Sequence, residues 1–220
     1  MKILFKNKDF IAICKPASVP TQSDKSGDED ALSLTRDELE SRREPSDLWL
    51  VHRLDRVVGG VVVFARNKQA AAEISVLVGT EGAEKEYIAV VEGAANGGIL
   101  TDYIYKDSAK GKAFVADSSR RSAKKAILEY VPIESVETEK GIRTLVKVKL
   151  HTGRFHQIRV QFASRKMPIV GDGKYGSHDN RAKMPALFAC RLAFNTKNEK
   201  IDVTQMPDTD KYPWSLFQWS

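Results

Sequence analysis

Cysteine is scarce in this chain: Cys14 and Cys190 are the only two in 220 residues, and each sits in an apolar stretch. One distant pair makes no disulfide framework, and without Cys-x-x-Cys there is no dithiol or zinc-ribbon motif; both thiols are expected to be free and buried. Long hydrophobic runs are missing too. No stretch reaches the roughly eighteen apolar residues that a membrane-spanning helix needs. The apolar opening Ile3-Leu4-Phe5 meets Lys6-Asn7-Lys8-Asp9 too soon for a secretory leader, so a cytoplasmic protein with no membrane association is expected. Histidine is limited to four residues. His151 and His156 lack the short spacing of metal ligands, there is no His-Glu-x-x-His, and no metal site is expected. Internal repeats and long low-complexity segments are likewise absent.

What is present is an ordinary globular balance, 42% hydrophobic and 29% charged, in a length that fits a single domain over residues 1–220. Lys and Arg number 35 against 29 Asp and Glu, a net charge of +6 that suits a polyanionic partner. The positive charges gather at Arg42-Arg43 with Arg53 and Arg56, at Arg120-Arg121 with Lys124-Lys125, and at Arg154, Arg159 and Arg165-Lys166. Facing one cleft, they would track phosphates; scattered, they would be solvated charge.

Apolar patterning predicts a hairpin from Ile3–Phe5 and Phe10–Cys14 about Asn7-Lys8-Asp9, a loop over 17–30 and a helix over 31–43. A short apolar run at 48–51, a buried β-branched strand at 61–65 and a helix at 68–78 come next. Further strands are expected at 87–91, 126–131, 145–150 and 187–194. Phe155, Ile158 and Phe162 repeat at helical spacing, with the helix beginning at Thr152-Gly153 and with His156 and Arg159 on another face. Tyr212-Pro213-Trp214 reads as a short terminal helix. Strands outnumber helices and few strand–helix–strand units repeat. The fold class is therefore α+β, a mixed, mainly antiparallel central sheet with flanking helices and loops.

Three segments carry candidate chemistry. His52-Arg53-Leu54-Asp55-Arg56 places one acid between two arginines just before Gly59-Gly60 and a core strand, where glycine would let a substrate approach the backbone. Lys85-Glu86-Tyr87-Ile88-Ala89 reads as a strand with Lys85 and Tyr87 on one face. His151 to Arg159 combines a helix start, suited to anions, with an inward arginine. Local composition leaves a surface ion-pair network, ordinary strand packing and a solvated basic helix as the plainer readings of the three.

Taken together and in order, these segments resemble the RluA-type family of RNA pseudouridine synthases. The family pattern is matched by His52-Arg53-Leu54-Asp55, by Val61 to Ala65-Arg66, by Lys85, Tyr87, Ala89, Val91 and Gly93, by Thr152-Gly153-Arg154, and by His156-Gln157-Ile158-Arg159. It is matched again by Pro168-Ile169-Val170-Gly171-Asp172 with Tyr175-Gly176. Asp9 to Lys15-Pro16 and Val19-Pro20 resemble the family's opening, so the likeness spans nearly the whole chain. Val58-Gly59 stand where the family has Thr-Ser, and Gln161 and Phe188 where histidines are common.

The resemblance implies an isomerase. It cuts the glycosidic bond of a uridine in RNA, turns the uracil and rejoins it through a ring carbon, consuming nothing and needing no cofactor. It implies Asp55 as catalytic carboxylate, with Arg159 beside it keeping it ionised, and Tyr87 over the uracil. The target base must leave its stack, and the resemblance makes Arg53 the wedge that fills its place. His52, Arg53, Arg56, Lys85, Arg154 and His156 are expected to contact RNA. The pattern starts at the catalytic domain, without a separate N-terminal RNA-binding module. Selection is then expected from loops at 17–47 and 105–125, on a transfer or ribosomal RNA stem-loop, by a monomer with no obligate protein partner. Two rivals are a non-catalytic RNA-binding protein on the same fold and a hydrolase using Asp55 and His52, with Asp172 as its second carboxylate.

Overall fold

The computed structural model describes residues 1–80, 82–197 and 199–219. In chain order the elements are β1 (Lys2–Lys6), β2 (Phe10–Lys15), α1 (Ala31–Ser41), β3 (Trp49–Leu50), β4 (Gly59–Ala65), α2 (Lys68–Gly79), β5 (Ala83–Glu92), β6 (Gly98–Asp107), β7 (Lys112–Ala116), β8 (Lys124–Val136), β9 (Arg143–Leu150), α3 (Gln157–Ala163), β10 (Leu187–Asn195) and β11 (Lys200–Thr204). Short 3-10 turns cover Gly173–Tyr175 and Trp214–Leu216. The chain forms two compact units, Met1–Lys85 with Ala189–Pro207, and Glu86–Phe188 with Asp208–Ser220.

In the first unit the strand order is β1-β2-β4-β10, with β11 on β10 and β3 on β4. The pairings β1–β2, β2–β4, β3–β4 and β10–β11 are antiparallel. β4 is buried along its whole length, as its uninterrupted Val61-Val62-Val63-Phe64 run requires. α2 lays Ala70, Ile74 and Val78, spaced by four, against Phe10, Val61, Val63, Leu192 and Phe194. Each such aliphatic side chain contributes about 1.5–3 kcal/mol on burial, and truncating Ile74 to alanine is expected to cost about 2–5 kcal/mol. Asp30 caps α1, its carboxylate accepting the N–H groups of Leu32 and Ser33 at 3.0 Å each. Gly60 (φ +125°) answers to packing rather than to substrate: a Cβ there would lie 2.2 Å from the Ala189 carbonyl oxygen of β10.

In the second unit the order is β5-β9-β8-β6-β7. The β6–β7 pairing runs antiparallel from Tyr103↔Ala116 to Asp107↔Lys112, and β8 pairs antiparallel with β6 and β9. Residues 105–125, expected as a loop, are therefore largely hairpin. The apolar alternation of β6 is interrupted by Asp102, which lies on the inward-facing side between Leu100 and Ile104 and is satisfied by Gln161 and Arg165 of the α3 region. α3 begins at Gln157, not at Thr152: His156 occupies the left-handed region (φ 54°) and the preceding residues form a turn. The Gln157 side chain closes that turn, its Oε1 accepting from the Arg154 N–H and the Thr152 hydroxyl and its Nε2 donating to the Ile127 carbonyl. Ile104, Ala113, Ala126, Val160 and Tyr175 form a core beneath it.

Candidate active site and nucleic-acid interface

Asp55 lies partly buried on the turn that leads into β4. Its neighbours fix that turn from both sides. The Thr21 hydroxyl donates to the Leu54 carbonyl (2.9 Å) and accepts the Leu54 N–H (3.1 Å). The Val58 N–H closes the turn on the Asp55 carbonyl, and the Ser18 N–H donates to the Arg56 carbonyl. The Arg56 guanidinium donates to the Ser18 carbonyl at 3.0 Å and to Ser26, and pairs with Asp24 and Asp28. Arg56 thus organises the 17–28 loop. Arg53 differs: it is exposed, and among the described residues its side chain has no hydrogen-bonding or ionic partner.

His52 is committed to the fold. The Val63 N–H donates to its Nε2 at 2.9 Å, so the imidazole serves β4 where β3 has already ended at Leu50. Burial, with a smaller effect from Lys85, pushes His52 down to about 4; it is neutral at pH 7 and carries its proton on Nδ1. Lys85 donates to the Val78 carbonyl at 2.9 Å near the end of α2, a favourable place for a cation, and burial lowers its pKa.

In the second unit Arg159 is buried and bound through two bonds to Asp172, Nε–Oδ2 2.6 Å and Nη2–Oδ1 2.8 Å, and its guanidinium lies 5.0 Å from the Tyr175 ring centre. Gly171 (φ +81°) precedes Asp172 where a Cβ would meet the Met184 carbonyl oxygen at 2.5 Å, so the turn bearing Asp172 demands glycine. Asp172 therefore belongs to an arginine, which leaves the hydrolase reading without its second carboxylate. The Tyr175 hydroxyl accepts the Ala113 N–H and shares a 2.8 Å hydrogen bond with His156 Nδ1. Burial first, then Arg159, Lys174 and Lys106, push His156 down to about 3. Tyr87 is partly buried in β5.

The hairpin β6–β7 and the segment after it hold another kind of positive charge. Lys106, Lys110, Arg120, Arg121, Lys124 and Lys125 are exposed, and among the described residues none pairs with a carboxylate. Among the described residues the Arg154 side chain donates only to the Lys125 carbonyl. Aromatic rings interleave them: Arg120 stacks 3.8 Å from the Tyr105 ring centre, Lys106 4.6 Å from that of Phe155, and Lys110 5.9 Å from that of the exposed Phe114. Unneutralised cations beside aromatic faces suit a phosphate backbone with unstacked bases.

Sequence reasoning left Lys15 and Tyr175 without individual roles and gave Asp172 only to a rival. Lys15 was visible as a lone cation ending an apolar strand before proline; its partners, all backbone carbonyls, were not.

Comparison with known proteins identifies the family and the fold. A family model described as RNA pseudouridylate synthase matches residues 9–164. An RNA pseudouridine synthase of Zymomonas mobilis is 36% identical over 217 residues, covering 94% of this chain and 93% of the relative. A tRNA pseudouridine synthase C of Vibrio vulnificus is 31% identical over 236 residues, covering 99% and 94%. The solved structure of human RNA pseudouridylate synthase domain containing 1 shares the fold, with a TM-score of 0.78 at 24% identity over 94% of this chain and 83% of that one. The chain belongs to the RNA pseudouridylate synthase family and is an isomerase that converts uridine in RNA to pseudouridine.

Proposed function

We propose that Asp55 is the catalytic carboxylate of this isomerisation, that Arg53 occupies the place of a uridine flipped out of its stack, and that the substrate is a structured transfer RNA. The observation that carries the reading is the contrast within one turn. Arg56 is consumed by the scaffold, whereas Arg53, two residues before the acid, is exposed and has no hydrogen-bonding or ionic partner among the described residues. An unpartnered guanidinium is the group suited to stacking in a vacated site and contacting phosphate. In the reaction the N1–C1′ bond breaks, C5–C1′ forms, the C5 proton leaves and N1 takes one up. The product has the atoms of the substrate, which is why no cofactor is invoked.

Tyr87 and Arg159 complete the proposed catalytic set, with Asp172 holding Arg159. The basic stretch from Lys106 to Lys125, with Arg154, is proposed to hold RNA backbone. Transfer RNA is favoured by relatives named tRNA pseudouridine synthase C, one of which matches 99% of this chain. We infer a cytoplasmic monomer.

The test is tritium release from RNA labelled at uridine C5, followed by pseudouridine mapping in RNA from a strain lacking the gene. Wild-type enzyme should release tritium and restore defined tRNA sites, and Asp55→Asn should do neither while still binding RNA. Restoration of ribosomal sites alone would overturn the choice of RNA.

A further inference from the structure

Among the buried ionisable side chains that the catalytic reading leaves unused, one contacts the residue after Asp55. Lys15, the last residue of β2, is 0% exposed. Its ammonium donates to the carbonyls of Pro16 (2.9 Å), Val19 (2.6 Å) and Arg56 (3.2 Å). The first two belong to the segment after β2; the third belongs to the residue that follows Asp55. One cation thus ties both strands of the loop pair that carries the acid, beside the Thr21–Leu54 bonds that hold the residue before it. Burying an ammonium is costly, and an apolar side chain of similar length would fill such a site without that cost. A charge kept there has a use.

We propose that Lys15 is a positioning residue for the isomerisation: its ammonium fixes the backbone on which Asp55 sits and holds a positive charge within electrostatic reach of the Asp55 carboxylate. The inference rests on the reading of Asp55 as the catalytic acid. Burial lowers Lys15 to about 8, against the attraction of Asp55 and Cys14 and alongside the repulsion of Arg56. Lys15 is therefore charged at neutral pH and loses its proton in mildly alkaline solution. A neutral amine has two N–H groups for three carbonyls, so deprotonation frees one of them as well as removing the charge.

The experiment is single-turnover tritium release between pH 5 and 9, on 5-tritiated total RNA from a strain lacking the gene, with melting curves for every variant. Removing a cation near a carboxylate raises the pH at which the acid ionises. Lys15→Met should lower the rate about tenfold at neutral pH and move the acidic limb up by about one pH unit, whereas Lys15→Arg keeps the limb in place. A Lys15→Met profile parallel to wild type at every pH would mark a merely structural residue and overturn the proposal. If Lys15→Met does not fold, Lys15→Arg decides: wild type should lose rate as pH rises through about 8 and the arginine variant should not. Identical alkaline limbs overturn the proposal in that case. Asp55→Asn separates the two readings. Activity in that variant removes the catalytic assignment itself, while an inactive Asp55→Asn with an unmoved Lys15→Met limb removes only the role of Lys15.

Discussion

The basic residues around Asp55 and those between Lys106 and Lys125 are indistinguishable by composition, yet they differ in what they are attached to. Near Asp55, Lys15 holds three carbonyls, Arg56 holds Ser18, Ser26 and two carboxylates, and His52 accepts a backbone N–H. Between Lys106 and Lys125 three of the exposed cations, Lys106, Lys110 and Arg120, have aromatic rings beside them, and among the described residues none of the exposed cations pairs with an acid. Charge near Asp55 builds a rigid mount; charge on the second stretch is available to a polyanion. Arg53 belongs with the second kind although it lies in the first region, which is what singles it out.

The comparison breaks most severely at the acid. Asp55→Asn is expected to reduce single-turnover tritium release by about a thousandfold or more while RNA affinity stays within a few-fold. A large loss of affinity instead would make the mount itself an RNA-binding surface. Next is Arg53→Ala. Flipping a base out of its stack costs a few kcal/mol, so losing the group that fills the gap should slow turnover by about a hundredfold on duplexed targets. The defect should shrink on an RNA whose target uridine is already unpaired, and an equal defect on both substrates would sink the wedge assignment.

The available charges come third. Combining Lys106→Ala, Arg120→Ala and Arg154→Ala should weaken RNA binding about tenfold. The slope of log affinity against log salt should fall by about 2–3, at unchanged rate with saturating RNA. An unaltered salt slope would return these residues to plain solvated charge. The last expectation concerns stability rather than activity, at His52. The folded chain keeps this imidazole neutral down to about pH 4, whereas an unfolded one takes up its proton near 6.5. Between those values the unfolded state binds more protons, so stability falls as pH drops from 6.5 toward 4, by up to about 3 kcal/mol from this group. His52→Gln retains an acceptor for the Val63 N–H without titrating there. Its melting temperature should fall less over the same interval, and parallel curves for the two proteins would refute the assignment.

Legibility followed burial. The uninterrupted run of β4 and the four-residue spacing of α2 were readable because their apolar pattern matches their burial, and the hairpin β1–β2 because Asn7-Lys8-Asp9 breaks two apolar runs. β6 and β7 were not, since Asp102 sits on the inward side of β6 and is satisfied only by side chains sixty residues away, Gln161 and Arg165. The start of α3 was misplaced because Thr152 closes a turn on Ile127 instead of capping a helix. Of the proposed catalytic residues, the types and order of Asp55, Tyr87 and Arg159 were legible, but the attachments of His52, Lys85 and His156 were not.

The sequence by itself determined the family, the fold class and which residue types could do chemistry, because ordered motifs and hydrophobic periodicity are properties of a chain read in one dimension. Only the tertiary structure decided which charges are consumed and which are available. An ammonium whose partners are backbone carbonyls and one that lies exposed over an aromatic ring are the same letter; burial and hydrogen bonding across distant segments separate Lys15 from Lys106.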